Sequence, residues 1–513
     1  MPSENNKRIA KNTLFLYFRM MLTMGVSLYT SRIVLATLGI EDYGIYSIVG
    51  GIIVMFGFLN SSMSGATSRF LTYELGQDNY EKLKKTFSAA LTVHFIIAGI
   101  IFILGETIGL WWLENKLVVP LERMTSARWV YQLSIISAMI SITQVPYNAT
   151  IIAHERMNIY AYVEILNSLL KLGIVYLLVI GNFDKLILYA ILTLCVTIII
   201  TTIYKIYCLR NFSESDYKFE WNQEIMKPMI SFSGWNIYYT MGYSLRTQGV
   251  NMLLNMFFGV AINAAYGLAT QLNHMVSAFS SNFLTAVNPQ IVKYYAMKEI
   301  EKMQSLIYNS TKFSFLLIAV FSFPIIIENK FLLAVWLKNV PDYAVIFCQL
   351  YLIFEVMLSM NNVLRFAIFA TGKIKNWALW SGTLYLLVLP FSYIFLKFGF
   401  SPIVPFVVHI FMCIFYLLGS MITLHSLVKE FSIINYTKRV LGICVIAAFV
   451  SLIIPMFLHF KMAEGWIRLI LVCLTSVISI CFAGYFIVFD KFTRYRVVMI
   501  IKRKIKDVII LKN

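Results

Sequence analysis

Nineteen consecutive residues from Leu186 to Tyr204, LILYAILTLCVTIIITTIY, contain no Asp, Glu, Lys or Arg. The runs Leu91–Gly105 and Phe313–Ile327 are equally free of charge. Roughly 20 apolar residues make a helix that crosses the ~30 Å hydrocarbon core of a bilayer. No other feature constrains the fold as strongly, because lipid offers the backbone no hydrogen-bonding partner. A spanning segment must be a helix or part of a closed barrel. A barrel would read as short segments of alternating polarity, and the chain lacks them. The pattern predicts an all-α polytopic membrane protein with about 14 transmembrane helices. They fall near 12–37, 44–66, 86–113, 127–152, 160–180, 186–204, 229–256, 264–287, 306–327, 343–371, 377–396, 403–425, 440–458 and 467–489.

Composition agrees: 13% of residues are charged and 59% hydrophobic, whereas a soluble domain carries about 25% charge. The connections are short, the longest lying near 205–228. No loop is large enough to hold a soluble catalytic domain. The sequence shows no phosphate-binding glycine loop with its lysine, no Cys or His metal spacing, and no Ser–His–Asp set that the topology would assemble. The expectation is a protein that is not an enzyme, with no cofactor and no metal. The seven cysteines are scattered and read as small apolar fillers.

Lysine and arginine accumulate on cytoplasmic loops, and here they alternate in phase with the spans. With the N-terminus inside, the inner segments hold Lys7, Arg8, Lys11, Arg69, Lys82, Lys84, Lys85, Arg156, Lys205, Arg210, Lys293, Lys298, Lys373, Lys438, Arg439 and a basic tail. The outer loops hold only Lys116, Arg123, Lys185, Lys330, Lys338, Lys397 and Lys461. One missed helix would invert the pattern downstream, so the phase supports both the count and an N-in, C-in orientation. The net charge of +18 is then mostly topology, and no nucleic-acid partner is expected.

MGVSLYT at residues 24–30 returns as MGYSLRT at 241–247, an offset of 217 positions. Leu38-Gly39-Ile40 is echoed by Phe258-Gly259-Val260, and Glu81-Lys82-Leu83 by Glu301-Lys302-Met303, both at an offset of 220. The offset covers six spans, an even number, so the halves face the same way as a parallel repeat. The expected organisation is a six-helix bundle over 1–208, a cytoplasmic linker over 209–228, a second six-helix bundle over 229–426, spans 13–14 over 427–489, and a basic cytoplasmic tail over 490–513.

Twelve repeated spans plus two, the opening KNTLFLYF…SRIVLATLGIEDYGIYSIVGGI, and QVPYNATIIAHERMNIYAYVEIL resemble the Wzx-type oligosaccharide flippases. Their superfamily (MATE/MOP) also holds the MATE drug exporters and the lipid II flippases. The resemblance covers essentially the whole chain. It implies a flippase of the bacterial cytoplasmic (inner) membrane that translocates polyprenyl-pyrophosphate-linked oligosaccharide units by alternating access, for polysaccharide or lipopolysaccharide biosynthesis. The implied partners are that lipid-linked oligosaccharide and membrane lipids, with a glycan polymerase and glycosyltransferases as candidates. Two alternatives stay open: a cation-coupled MATE-type exporter of drugs or metabolites, and a membrane scaffold for a glycan-assembly complex.

Arginine in a span is costly and usually faces a cavity or a partner. Arg19, Arg32 and Arg246 are therefore candidate substrate-binding residues, since a guanidinium fork suits phosphate oxygens. Each has a second reading as an ion pair or a snorkelled anchor. Asn60, Ser61, Ser281 and Asn282 are candidates for sugar hydroxyls, against the alternative of helix–helix packing. Glu355, Glu164 and Lys171 are coupling candidates; Glu164 and Lys171 are seven residues apart, on one helical face. Pro146, Pro324, Pro390 and Pro455 should kink their helices, with Pro146 the candidate hinge. His154 is expected in a cytoplasmic loop.

Overall fold

The structure is a computed structural model that describes residues 2–490 except 56, 116–119, 179–182, 220, 259 and 337–339, and also Arg494. The described residues are almost entirely helical. We number the long helices α1 (Pro2–Met55), α2 (Gly57–Gly76), α3 (Tyr80–Asn115), α4 (Met124–Ala153), α5 (Met157–Leu177), α6 (Lys185–Asn211) and α7 (Gln223–Phe258). The remainder are α8 (Val260–Ala296), α9 (Ile300–Trp336), α10 (Ala344–Thr371), α11 (Lys375–Lys397), α12 (Val404–Leu427), α13 (Ile433–Lys461) and α14 (Trp466–Val488). Ten helices among the described residues are long and apolar enough to cross a membrane.

From α3 onward, each helix falls on its expected span. The exception is the first pair. A break was expected between 37 and 44, but α1 continues for 54 residues to Met55, about 80 Å along its path. The stretch LGIEDYG contains no proline, and each glycine costs a helix only about 1 kcal/mol. Packing outweighs that cost: Ile45 is buried with Leu113, Val130, Tyr131 and Leu186, and Tyr46 meets Tyr189 at 4.8 Å between centroids.

Starts and polar positions have local causes. Asn79 accepts the Lys82 N–H at the start of α3, and Asp184 accepts the Leu186 and Ile187 N–H groups at the start of α6, relieving donors a helix leaves open. Hydroxyls inside apolar helices bond to the carbonyl four residues back, as Thr92 does to Ser88 and Thr311 to Ile307, which hides them from lipid. α4 runs through Pro146 as one helix. α9 leaves helical geometry at Glu328 (φ −101°, ψ 18°). Pro324 cannot cause this alone, because the bond it removes ends on the carbonyl at 320.

The chain packs as two compact units. Unit 1 comprises Met1–Met241 with Thr285–Ile300 and Phe369–Leu379; unit 2 comprises Gly242–Leu284, Glu301–Ile368 and Trp380–Asn513. The core of unit 1 is built by Val34, Leu71, Phe87, Tyr147, Ile151 and Val175. That of unit 2 gathers Val250, Leu254, Phe347, Phe354, Val388 and Phe406. Large apolar side chains on α13 and α14, among them Phe449, Phe457, Ile467 and Ile478, are exposed, as lipid-facing residues should be.

Candidate functional site

In unit 2, α7, α8, α10, α11 and α12 together bury a charged cluster. Arg246 on α7 is 2% exposed, Glu355 on α10 is 4%, and His409 on α12 is 6%. Arg246 Nη1 lies 2.8 Å from His409 Nδ1, and its Nη2 donates to Thr247 Oγ1 at 2.8 Å. The Thr247 hydroxyl in turn donates a hydrogen bond to the Tyr243 carbonyl at 3.0 Å. A guanidinium only donates, so the imidazole must present an unprotonated nitrogen to it. His409 is fixed in turn by stacking on Phe354, 3.8 Å between centroids. The Arg246 guanidinium also lies 4.9 Å from the Tyr243 ring centre and 5.7 Å from that of Tyr385.

A buried arginine without an acidic partner is costly. Aromatic faces and an imidazole offset this only in part. No ion pair joins Arg246 to Glu355 among the described residues, and Glu355 takes a side-chain hydrogen bond from Asn273 instead. Arg246 Nε is buried with no partner. The fork thus keeps one donor free for an acceptor such as a phosphate oxygen. Phe354, Ser381, Tyr385, His409, Cys413 and Tyr416 line a small cavity beside it, and the Ser381 hydroxyl there is also buried without a partner.

Unit 1 places the other candidates differently. Arg19 on α1 is half-buried, with its guanidinium 4.9 Å from the centre of the Tyr160 ring. Glu164 accepts the Tyr204 hydroxyl at 3.1 Å. Lys171 is exposed and has no ion pair with Glu164. Pro146 is buried in α4, and the Thr150 hydroxyl donates to its carbonyl at 2.9 Å. On α8 in unit 2, Ser281 is exposed, while Asn282 is buried and donates to the Ala278 carbonyl at 2.8 Å. The side chains of Arg32, Asn60 and Ser61 lie outside the described residues.

Three clusters were not singled out from the sequence. Arg123 clasps Asp42 through Nε (2.8 Å) and Nη2, and Asp184 through Nη1 (2.9 Å). Glu328, at the irregular turn of α9, accepts Arg468 Nη2 at 2.8 Å and His459 Nδ1 at 2.9 Å. Glu155, following α4, accepts Arg8, Gln290 and Lys293. His154 beside it, expected in a cytoplasmic loop, lies in the turn that follows α4, stacks on Phe212 and meets Glu214 Oε1 at 2.5 Å. Their partners lie dozens to more than a hundred positions away, which no local spacing reveals. No group of residues suited to a metal ion occurs among the described residues.

The fold is that of the MATE transporters, and the chain is a multi-pass membrane protein. It is similar to a MATE structure in the bent conformation, at 15% identity and a TM-score of 0.72, over 83% of this chain and 96% of that one. It also matches a multidrug resistance MATE family transporter of the MOP superfamily in an outward-facing conformation, at 15% identity and 0.65, over 82% and 97%. The Vibrio cholerae MATE transporter VcmN in its bent form aligns at 15% identity and 0.66, over 84% and 99%. Residues 9–295 match the polysaccharide biosynthesis protein family, and the chain belongs to that family. No curated protein matches it.

Proposed function

We propose that the protein is a flippase carrying polyprenyl-pyrophosphate-linked oligosaccharide units from the inner to the outer leaflet of a bacterial cytoplasmic membrane by alternating access. The family supplies the glycan context. The observation that carries the cargo's chemistry is Arg246, a permanent cation buried with a free Nε donor. That group suits an anionic head whose sugars cannot cross hydrocarbon unaided. Arg19, Arg32, Asn60, Ser61, Ser281 and Asn282 remain proposed cargo contacts, and Pro146 the proposed hinge. The organisation that goes with this reading is two six-helix bundles over 1–208 and 229–426, with spans 13–14 added and both termini cytoplasmic.

The test is glycan display in cells lacking the native protein. Arg246→Ala should abolish surface glycan at unchanged protein level. Arg246→Lys should restore only part of it, because a point charge loses the forked geometry. Full display with the alanine variant would defeat the reading. A second reading, cation-coupled export, draws on Glu355, a carboxylate buried beside that arginine. It gains if Glu355→Gln abolishes cation-dependent drug efflux and leaves surface glycan intact.

A further inference from the structure

Unit 1 contains more than the first six helices. The N-terminal part of α7, the C-terminal part of α8 and the junction of α10 with α11 belong to it as well. At this end of the unit, helices from early and late in the chain are joined by a small set of polar contacts. Glu155 is the centre. Its carboxylate is fully buried, with Oε2 accepting Arg8 Nε at 3.0 Å and Gln290 Nε2 at 2.6 Å. Oε1 accepts Lys293 Nζ at 2.7 Å. Arg8 comes from α1 and also donates Nη2 to the His154 carbonyl at 3.0 Å. Gln290 and Lys293 come from α8. Glu155 has a left-handed backbone, φ 59°, a conformation that a residue with a Cβ keeps only where its surroundings hold it there.

Two more joints flank it. Arg69 on α2 donates Nε and Nη2 to the Ala370 carbonyl at 3.2 and 2.9 Å. It fits there because Gly372 (φ +77°) has no side chain; a Cβ would lie 2.8 Å from Arg69 Nη2. Gln77 donates to the Ala296 carbonyl. Beside it, Gly76 approaches α8 so closely that a Cβ would come within 2.8 Å of Ala296 Cβ. Just inside this layer, Phe232 lies between Phe70 and Phe369. One turn deeper is Asn236, 5% exposed, with its Nδ2 3.8 Å from where a side chain on Gly65 would begin.

From this arrangement we infer that Glu155 with Lys293 and Gln290 forms a reversible lock closing this end of the transport path. The inference rests on the alternating-access reading. When the end opens, α8 withdraws Lys293 and Gln290. Arg8, on the same side as Glu155, stays and keeps the carboxylate neutralised, so no bare buried charge results. A seam made of side-chain tips, two capped carbonyls and the close approaches at Gly76 and Gly372 can part at these polar and glycine contacts, with the Phe232 ring contacts just inside it. Gly76 is the closure surface, since any side chain there would act as a wedge.

The test is the rate at which a maleimide labels Asn236→Cys, read by mass spectrometry at that residue in protein held in nanodiscs, where both ends are accessible. Adding Lys293→Ala, or separately Gly76→Val, should raise the rate by about tenfold or more, the scale of losing one charge-assisted bond. Lys293→Arg should leave it low, which separates loss of the lock from general loosening. Unchanged labelling in both the alanine and the valine variants overturns the lock, whatever the cells export. Raised labelling with normal surface glycan upholds the lock and counts against the flippase reading instead.

Discussion

Arg246 and Arg468 are both buried arginines, and they are satisfied in opposite ways. Arg468 on α14 donates Nε and Nη2 to Glu328 Oε2 at 3.2 and 2.8 Å, a complete ion pair that ties the last hairpin to the irregular turn of α9. Removing one member of such a pair strands the other. Arg468→Ala should destabilise unit 2 by about 3–5 kcal/mol, leaving Glu328 with His459 alone. The paired replacement Glu328→Gln with Arg468→Met should cost much less. Thermal unfolding of detergent-solubilised protein checks both, and equal loss in the single and double variants would contradict the pairing. Arg246, with no carboxylate in contact, has no such structural use. For that reason its alanine variant is expected to change function more than stability.

At the scale of the helix, the Arg123 cluster shows how polar ends anchor apolar rods. Asp184 caps α6, accepts the Ser126 hydroxyl at 2.9 Å, and shares Arg123 with Asp42 on α1. Burial alone would raise its carboxyl, but Ser126, the Ile187 N–H and Arg123 together hold it below the usual 3.8. A depressed value means the unfolded chain binds the proton more readily. The contribution is therefore complete above about pH 4 and fades as the pH falls through the folded-state value. Asp184→Asn should lower the melting temperature at pH 7, and the gap from wild type should narrow progressively as the pH falls below about 4. A gap that stays constant down through the acid range would show that charge is not the source. The cluster also bears on α1, whose unbroken course past Asp42 is held by Arg123 and the Tyr46–Tyr189 contact, not by its own glycine-containing sequence.

For the whole molecule, the testable quantity is sidedness. Asn79, Gln223 and Ala463 are all exposed, so single cysteines there report topology, at the cost at position 79 only of the Asn79 cap on α3. In intact cells an impermeant thiol reagent should miss positions 79 and 223 and react at 463. Reaction at 223 would break the six-plus-six organisation and reverse the orientation drawn from the lysine and arginine pattern. The same experiment decides which membrane face carries the Glu155 lock.

From α3 onward, the position and order of the helices were legible in the residues, because lipid leaves a backbone almost no alternative and makes apolar length a strong signal. Arg246, Arg19 and Glu355 stood out for the same reason: a charge amid such a run must have a use. What those charges touch was not legible. His409 lies 163 residues from Arg246, Lys293 lies 138 from Glu155, and both acceptors sit on elements with no local sequence relation to the donors. Glu155, Arg69 and Lys293 read as ordinary loop or helix-end charges, since burial at a helix end depends on which other end arrives there. The α1–α2 boundary failed because two glycines and an acidic pair signal a turn only weakly, and neighbouring helices settled the matter. The sequence by itself determined a stack of membrane-length helices and where its charges had to be explained. Only the tertiary structure decided their partners, because an ion pair is selected by three-dimensional proximity and desolvation, neither of which a one-dimensional spacing encodes.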